Sequence, residues 1–538
     1  MNSSAGGDNF PGRRIGRRDL LRGAALSGAA FWTANLLTAC QQRSPVPRAP
    51  AAASGTPVAE VPKRGGILRV ALSNEIAGVD PYGNTSVSDK CVYHAVYDGL
   101  LGLDRDLRIV PQLAASWAMP DERTYVFTLR DGLVFHDGTP CDAQAVKQSL
   151  DWLLDPANPA QARPELSEVQ DLVATDRKTV TFRLKTPSSA LLTTLADRAG
   201  KVVSPTARAK YGKDLARNPV GTGPFRFIEW LQDDHLTLKR FDDYWDKGAP
   251  LLDTVVFRPI PDQSVALTEL KTGNVDLVSF LDPKDLAEVR ANTRLVSLEA
   301  PGLSFWGVLP NTTRGPLASK PLREALSFAI DREAILAAAA FGVGQVAHGP
   351  IPPSSWAYDP DAPVIRRDLE RAKVKLAEGG WPSGFPVRVL TPPSLQRTAQ
   401  LVQAQAREVG IDVQIQVLEA TALFSIAQGS DNEAVVIGWG GRADPDGNVF
   451  PMFHTKGGWN GGKYSSPEVD RLIEQGRIVS DQAERKRIYQ AIQQQLNQDV
   501  AYIFTNFRPV LHATNTSVRG LQAHPDQALR LQTTWLSA

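Results

Sequence analysis

The stretch Gly438-Trp439-Gly440-Gly441-Arg442-Ala443-Asp444-Pro445-Asp446-Gly447-Asn448 gathers groups able to hold a small charged molecule. An indole such as Trp439 offers a flat apolar wall, and a carboxylate in a partly dry cleft offers a partner for a cation. The stretch follows Ala434-Val435-Val436-Ile437, an apolar run that reads as a buried strand. Open α/β sheets bind ligands just beyond the carboxyl ends of their strands, so Trp439, Asp444 and Asp446 stand where a ligand would. The competing reading is a plain surface turn, because Asp, Pro and Gly all favour turns. Glu75 lies in the loop after an opening strand at 66–72, and either faces a cleft or is solvated.

Signatures of catalysis and metal binding fail one by one. The histidines are His94, His136, His235, His348, His454, His512 and His524, and none sits in a His-Glu-x-x-His pattern. No Gly-x-Ser-x-Gly elbow occurs. Residues 457–463 fit Walker A spacing, but Tyr464 stands where the Mg-binding Ser or Thr belongs, and no strand leads in. Residues 218–225 are glycine-rich, yet they lack a third glycine and run into a strand at 226–230 rather than a helix. His136-Asp137 and His454 have no clustered partners, so each reads as structural. No cofactor and no metal is called for, and the chain reads as a non-enzyme.

The chain has 538 residues, too many for a single core, with 42% hydrophobic and 22% charged residues and a formal net charge of +1. Five arginines against Asp8 and Asp19 put the positive charge in the first 39 residues, leaving a slightly acidic body that is a poor partner for nucleic acid. Gly16-Arg17-Arg18-Asp19-Leu20-Leu21-Arg22 resembles the twin-arginine export motif. The alanine-rich core at 23–39 is too short and too weakly apolar to span a membrane. It ends in Leu37-Thr38-Ala39-Cys40, which looks like a bacterial lipobox. Residues 1–39 thus read as a signal peptide, Cys40 as the lipidated first residue of the mature protein, and 40–63 as a Pro/Ala/Ser-rich tether. That makes the protein exported and lipid-anchored, facing the periplasm or cell exterior, where it must bind, hydrolyse or scaffold without cytoplasmic ATP or NADH. Cys91 and Cys141 are two buried free thiols or one disulfide, and spacing does not choose between them.

The elements that must position these residues are of two kinds. Around 105–218, β-branched strands at 124–129 and 179–184 flank a helix at 142–153, a small α+β unit. Helices are also expected at 89–100 and 264–271, and strands near 236–240 and 254–259. In the second half, Leu322, Ala325, Leu326, Ala329 and Ile330 form one helical stripe, with Asp331 capping the next helix and Asp368 capping another. A strand at 387–390, a helix at 394–409 stopped by Gly410, and a strand at 411–418 make a βαβ unit and hence parallel sheet. One long helix at 466–497 and strands at 502–504 and 510–513 close the chain.

Several ordered motifs carry a family resemblance: Pro111-Gln112-Leu113-Ala114-Ala115-Ser116-Trp117, residues 128–140, residues 218–225 and Tyr244-Trp245. Leu270-Lys271-Thr272-Gly273-Asn274-Val275-Asp276-Leu277, residues 323–332 and residues 464–470 continue the set. With these, everything after Lys63 resembles the dipeptide, oligopeptide and nickel solute-binding proteins of ABC importers, cluster C. Cys141 departs from the pattern, where members more often carry a larger apolar residue. The resemblance implies an α/β fold of the type II periplasmic-binding-protein kind: a two-lobed Venus-flytrap with an extra α+β domain inserted in lobe I. Lobe I takes 62–104, 219–300 and 509–538, the insert 105–218, and lobe II 301–508. It implies a monomer that captures di- or oligopeptides by lobe closure and delivers them to ABC permease subunits. It places Asp444, with Asp446 as fallback, opposite a peptide α-ammonium, and puts Trp439 in the pocket wall. Trp306 lines lobe II's side of the cleft or packs in its core. Rival readings are a non-peptide solute (an opine, oligosaccharide, nickel chelate or other amine), a non-transporting scaffold or sensor, and an exported hydrolase.

Overall fold

Runs of β-branched and aromatic residues pair into two large sheets, between which the chain crosses twice. In the computed structural model, residues 61–83, 86–429 and 431–537 are described; Arg17, Arg18 and Cys40 lie outside them. The first sheet has seven strands in the order Leu295–Ala300, Val510–Asn515, Leu277–Ser279, Ile67–Leu72, Thr254–Pro259, His235–Arg240, Phe225–Leu231. Ile67–Leu72 runs parallel to both its neighbours. Its Leu68, Val70 and Leu72 enter one core and Ala71 the core on the opposite face, the period-2 alternation of a strand buried on both sides.

A four-stranded antiparallel sheet, Ala114–Asp121, Thr124–Leu129, Thr179–Leu184 and Val169–Ala174, shares a core with the first sheet. Helix Ala143–Leu154, capped by Asp142, packs Val146, Leu150 and Leu153 into that core. The six-stranded sheet has the order Gln345–Val346, Ile503–Phe507, Phe305–Pro310, Ala434–Trp439, Pro386–Thr391, Asp412–Val417. Pro386–Thr391, helix Gln396–Arg407 and the parallel strand Asp412–Val417 form the βαβ unit. Gly410 ends that helix with φ +86°, a conformation that costs glycine nothing. Asp331 and Asp368 each cap a helix through a side-chain oxygen.

Two helices differ from the sequence reading. The helix placed at 466–497 is two, Pro467–Ile478 and Gln482–Asp499. Asp481 takes an extended backbone and its carboxylate accepts from Glu484 N, so a new helix starts there instead of the old one continuing. The helix placed at 89–100 runs Val87–Val96, started by a capping box between Ser86 and Asp89. It stops where Tyr97 turns extended and the glycine-rich 218–225 segment docks on its end. Gly223 N donates to Val96 O at 2.9 Å. A Cβ on Gly221 would lie 2.3 Å from that same oxygen, so these glycines serve close packing.

Cys91 and Cys141 are both buried and free. Among the described residues no helix is long and apolar enough to cross a membrane. The two crossings between sheets, 300–305 and 507–510, touch: a Cβ on Gly302 would meet Arg508 O at 2.1 Å.

Candidate functional site

Strand Ala434–Trp439 lies between Phe305–Pro310, antiparallel, and Pro386–Thr391, parallel. The chain leaves it through Gly441, at φ +70°, where a Cβ would sit 2.1 Å from Leu303 O. Asp444-Pro445-Asp446 is not a surface turn: Asp444 and Asp446 are buried, and the triplet leads straight into helix Asp446–Phe453. Three hydrogen bonds shape the loop. Trp439 Nε1 donates to Gly447 O (3.0 Å), Arg442 N to Asn448 Oδ1 (2.8 Å), and Asp446 N to Asp444 Oδ1 (2.9 Å).

Both oxygens of Asp444 are taken by Arg485, whose Nη1 and Nη2 approach at 3.0 and 2.8 Å. Arg485 also donates to Gly476 O and to the Tyr489 hydroxyl, and its guanidinium stands 5.2 Å from the Trp356 ring centre. A ligand ammonium group at Asp444 would have to share this buried carboxylate with Arg485. Asp446 faces Arg477, with Nε 3.4 Å from Oδ2, while its Oδ1 is buried without a hydrogen-bond partner. Burial pushes the Asp446 carboxyl up to about 6, with Arg477 pulling it down and Asp444 pushing it up.

The remaining sequence candidates are spread over both lobes. Trp439 is half-buried against the core on one face of the six-stranded sheet and meets Trp459 edge-on at 5.9 Å. Trp306 pairs with Gly438, one residue out of phase, so it lies on the opposite face and packs on the other core. Arg508 covers the Trp306 ring at 4.3 Å, and its buried Nε1 has no hydrogen-bond partner. Glu75 sits beyond the carboxyl end of Ile67–Leu72, in a loop pinned by Asn74 N to Ser88 Oγ (3.3 Å) and Ala77 N to Asp89 Oδ1 (2.8 Å). One oxygen of Glu75 is buried and unpartnered. The structure therefore joins Trp439, Asp444 and Asp446 in one loop, with Glu75 on the other lobe.

Sequence reasoning missed the charges that face this loop. Lys90, on helix Val87–Val96, places Nζ 3.2 Å from Asp197, and the Tyr93 hydroxyl donates to the same carboxylate at 3.4 Å. Asp526 and Arg530 form a second pair, at 2.8 and 2.6 Å. Burial would raise the Asp197 carboxyl, but Lys90, the His94 contact and the charge of Arg442 together hold it well below the carboxylate range. The loop thus bears on the first lobe, and Ala443 packs against that lobe's core. Gln527 Nε2 to Ser304 Oγ (3.3 Å) and Ser189 Oγ to Arg477 O (3.1 Å) are further bonds between the lobes. Arg442 stands in the loop itself; Lys90 and Asp197, 107 residues apart, do not signal each other in sequence, and the Asp526–Arg530 pair, four residues apart, carries no local sign that it faces this loop.

His136 bridges Gly223 O (2.9 Å) and Gly221 N (3.3 Å), and burial pushes it down to about 4. His454 bonds Glu474 at 3.2 Å. Among the described residues no three His, Cys, Asp or Glu side chains converge as a metal site. The Walker-like loop follows helix Asp446–Phe453, and a Cβ on Gly457 would lie 2.4 Å from Pro451 O, so that glycine packs against the helix end.

Residues 108–461 match the model for bacterial extracellular solute-binding proteins, family 5 middle region. The glutathione-binding protein GsiB of Escherichia coli O1:K1 is 30% identical over 480 residues, 85% of this chain and 92% of that protein. The ABC transporter-associated periplasmic binding protein DppA from Helicobacter pylori, in complex with the peptide STSA, superposes with a TM-score of 0.81. Its identity is 26%, over 88% of this chain and 99% of that one. AgaA from A. tumefaciens R10, in complex with agropinic acid, gives a TM-score of 0.80 at 30% identity, over 88% and 99% of the two chains.

Proposed function

The chain belongs to the bacterial extracellular solute-binding proteins of family 5, and on that premise we propose that it captures a di- or oligopeptide between two closing lobes and delivers it to an ABC permease. One observation carries this reading. The loop after Trp439 hangs from the six-stranded sheet yet rests Ala443 against the core of the other lobe. A solute held there touches both lobes, and contacts available only when the lobes meet favour the closed state. Closure is the form a permease would recognise.

Within this reading Trp439 walls the site, and the Asp444–Arg485 pair holds the loop in shape. The carboxylate that receives a solute's ammonium group is Glu75, whose unpartnered oxygen lies beside the helix that also carries Lys90. Asp446 is its fallback, and Trp306 supports the sheet from beneath. Arg17 and Arg18 direct export, and Cys40 carries the lipid anchor. The peptide class is supported by relatives named for glutathione and crystallised with STSA. The complex of AgaA with agropinic acid, at comparable likeness, favours an opine as the second reading.

Native mass spectrometry of the protein purified without added ligand tests the proposal, because a receptor that encloses its solute retains it. A ladder of short-peptide masses, weakened by Glu75→Gln, is the expected result. One sharp non-peptide mass moves the solute to the second reading.

A further inference from the structure

We propose that Ser189 and Glu168 are positioning residues for the closed state: from the four-stranded unit they grip the end of helix Pro467–Ile478 on the second lobe and latch the two lobes together. This rests on the reading that the lobes close over the solute.

Nothing covalent holds this contact in place. The four-stranded sheet shares its core with the seven-stranded one, and the chain passes to and from the second lobe at the crossings 300–305 and 507–510. Ser189 and Arg477 are 288 residues apart, so they meet only while the lobes are together. Ser189 N donates to Arg477 O at 2.9 Å, and its hydroxyl is shared between Arg477 O, at 3.1 Å, and Val479 O. The last carbonyls of a helix have no partner within it. Val479 turns extended and ends helix Pro467–Ile478, so these two oxygens need a donor from outside, and water serves when the lobes part.

The residues on either side prepare the same contact. The Tyr125 hydroxyl donates to Ser188 O at 3.1 Å and Lys185 N to Glu168 O at 2.8 Å, fixing the loop that presents Ser189. Thr186 Oγ1 donates to Glu168 Oε2 at 2.5 Å and leaves Oε1 toward Arg477, 3.8 Å from its Nη2. The same guanidinium sets Nε 3.4 Å from Asp446 and stands 4.1 Å from the Phe450 ring centre. Both of those residues lie on helix Asp446–Phe453, which the loop after Trp439 leads into. Arg477 therefore joins the latch to the loop that walls the solute. Each of these bonds replaces one made with water, so the latch lengthens closure without making it permanent.

The test is single-molecule energy transfer between dyes on Val265→Cys and Val374→Cys, in full-length chains carrying Cys40→Ser to remove a third labelling position. It is read without solute, with a pool of tripeptides and with agropinic acid. The readout is the lifetime of the short-distance state, and thermal midpoints report folding. Ser189→Ala should shorten that lifetime roughly two- to tenfold, the worth of one hydroxyl hydrogen bond. Glu168→Gln should shorten it less, and Ser189→Thr, which keeps the hydroxyl, should stay near the unsubstituted protein. An unchanged lifetime in a folded Ser189→Ala, or one shortened equally by Ser189→Thr, overturns the latch and leaves capture by closure standing. Absence of any short-distance state under all three conditions, with Ser189 and Glu168 in place, overturns both.

Discussion

Asp444 and Arg485, 41 residues apart, close on each other through paired bonds of 3.0 and 2.8 Å, buried on the second lobe. The pair ties the start of helix Asp446–Phe453 to helix Gln482–Asp499 and fixes the loop that Trp439 opens.

Removing one partner of a buried pair strands the other's charge. Asp444→Asn and Arg485→Gln should each cost roughly 3–5 kcal/mol. The double variant should cost less than their sum, read from urea midpoints as a double-mutant cycle. An Asp444→Asn protein with unchanged stability but no solute binding would assign the carboxylate to the ligand instead.

Asp446 gives a pH signature. Its carboxyl is held at about 6 in the fold, chiefly by burial. A carboxyl raised above its unfolded value, about 4, contributes stability that is complete below that value and lost as pH rises through about 6. Asp446→Asn lacks that loss, so its stability relative to wild type should improve by roughly 1–3 kcal/mol on going from about pH 4 to about pH 7.5. Urea midpoints at the two pH values check this, and parallel curves would refute it.

Gly302 sits where the two inter-sheet crossings touch. A methyl group there would lie 2.1 Å from Arg508 O, which belongs to the backbone and cannot rotate away. Gly302→Ala should destabilise by about 1–3 kcal/mol and weaken solute binding along with it, as overpacking does. Thermal unfolding and solute titration of the variant report the two effects.

Much of the fold was readable locally. Strands Thr124–Leu129, Thr179–Leu184 and Thr254–Pro259 were placed to the residue because β-branched runs between turn residues have sharp ends. Asp331 and Asp368 announced helix starts by type and position. The break at 479–481 was missed because no glycine or proline interrupts 477–499, leaving only Ser480-Asp481 to mark the restart. The site was less legible. The loop stood out by composition, but the consumption of Asp444 by Arg485 is a tertiary fact with no local trace. That Trp306 and Trp439 lie on opposite faces follows from the pairing register of two strands far apart in sequence, which periodicity within either strand does not give.

Capture by closure of two lobes changes the distance between them. Val265 and Val374 are exposed, on helices Gln263–Thr272 and Leu369–Glu378 of the two lobes, and the native Cys91 and Cys141 are buried. Val265→Cys and Val374→Cys therefore accept a donor–acceptor dye pair for single-molecule energy transfer. Closure gives a broad, longer distance distribution in the solute-free protein that narrows and shortens on adding the retained solute. Tight solute binding with an unchanged distribution would contradict it.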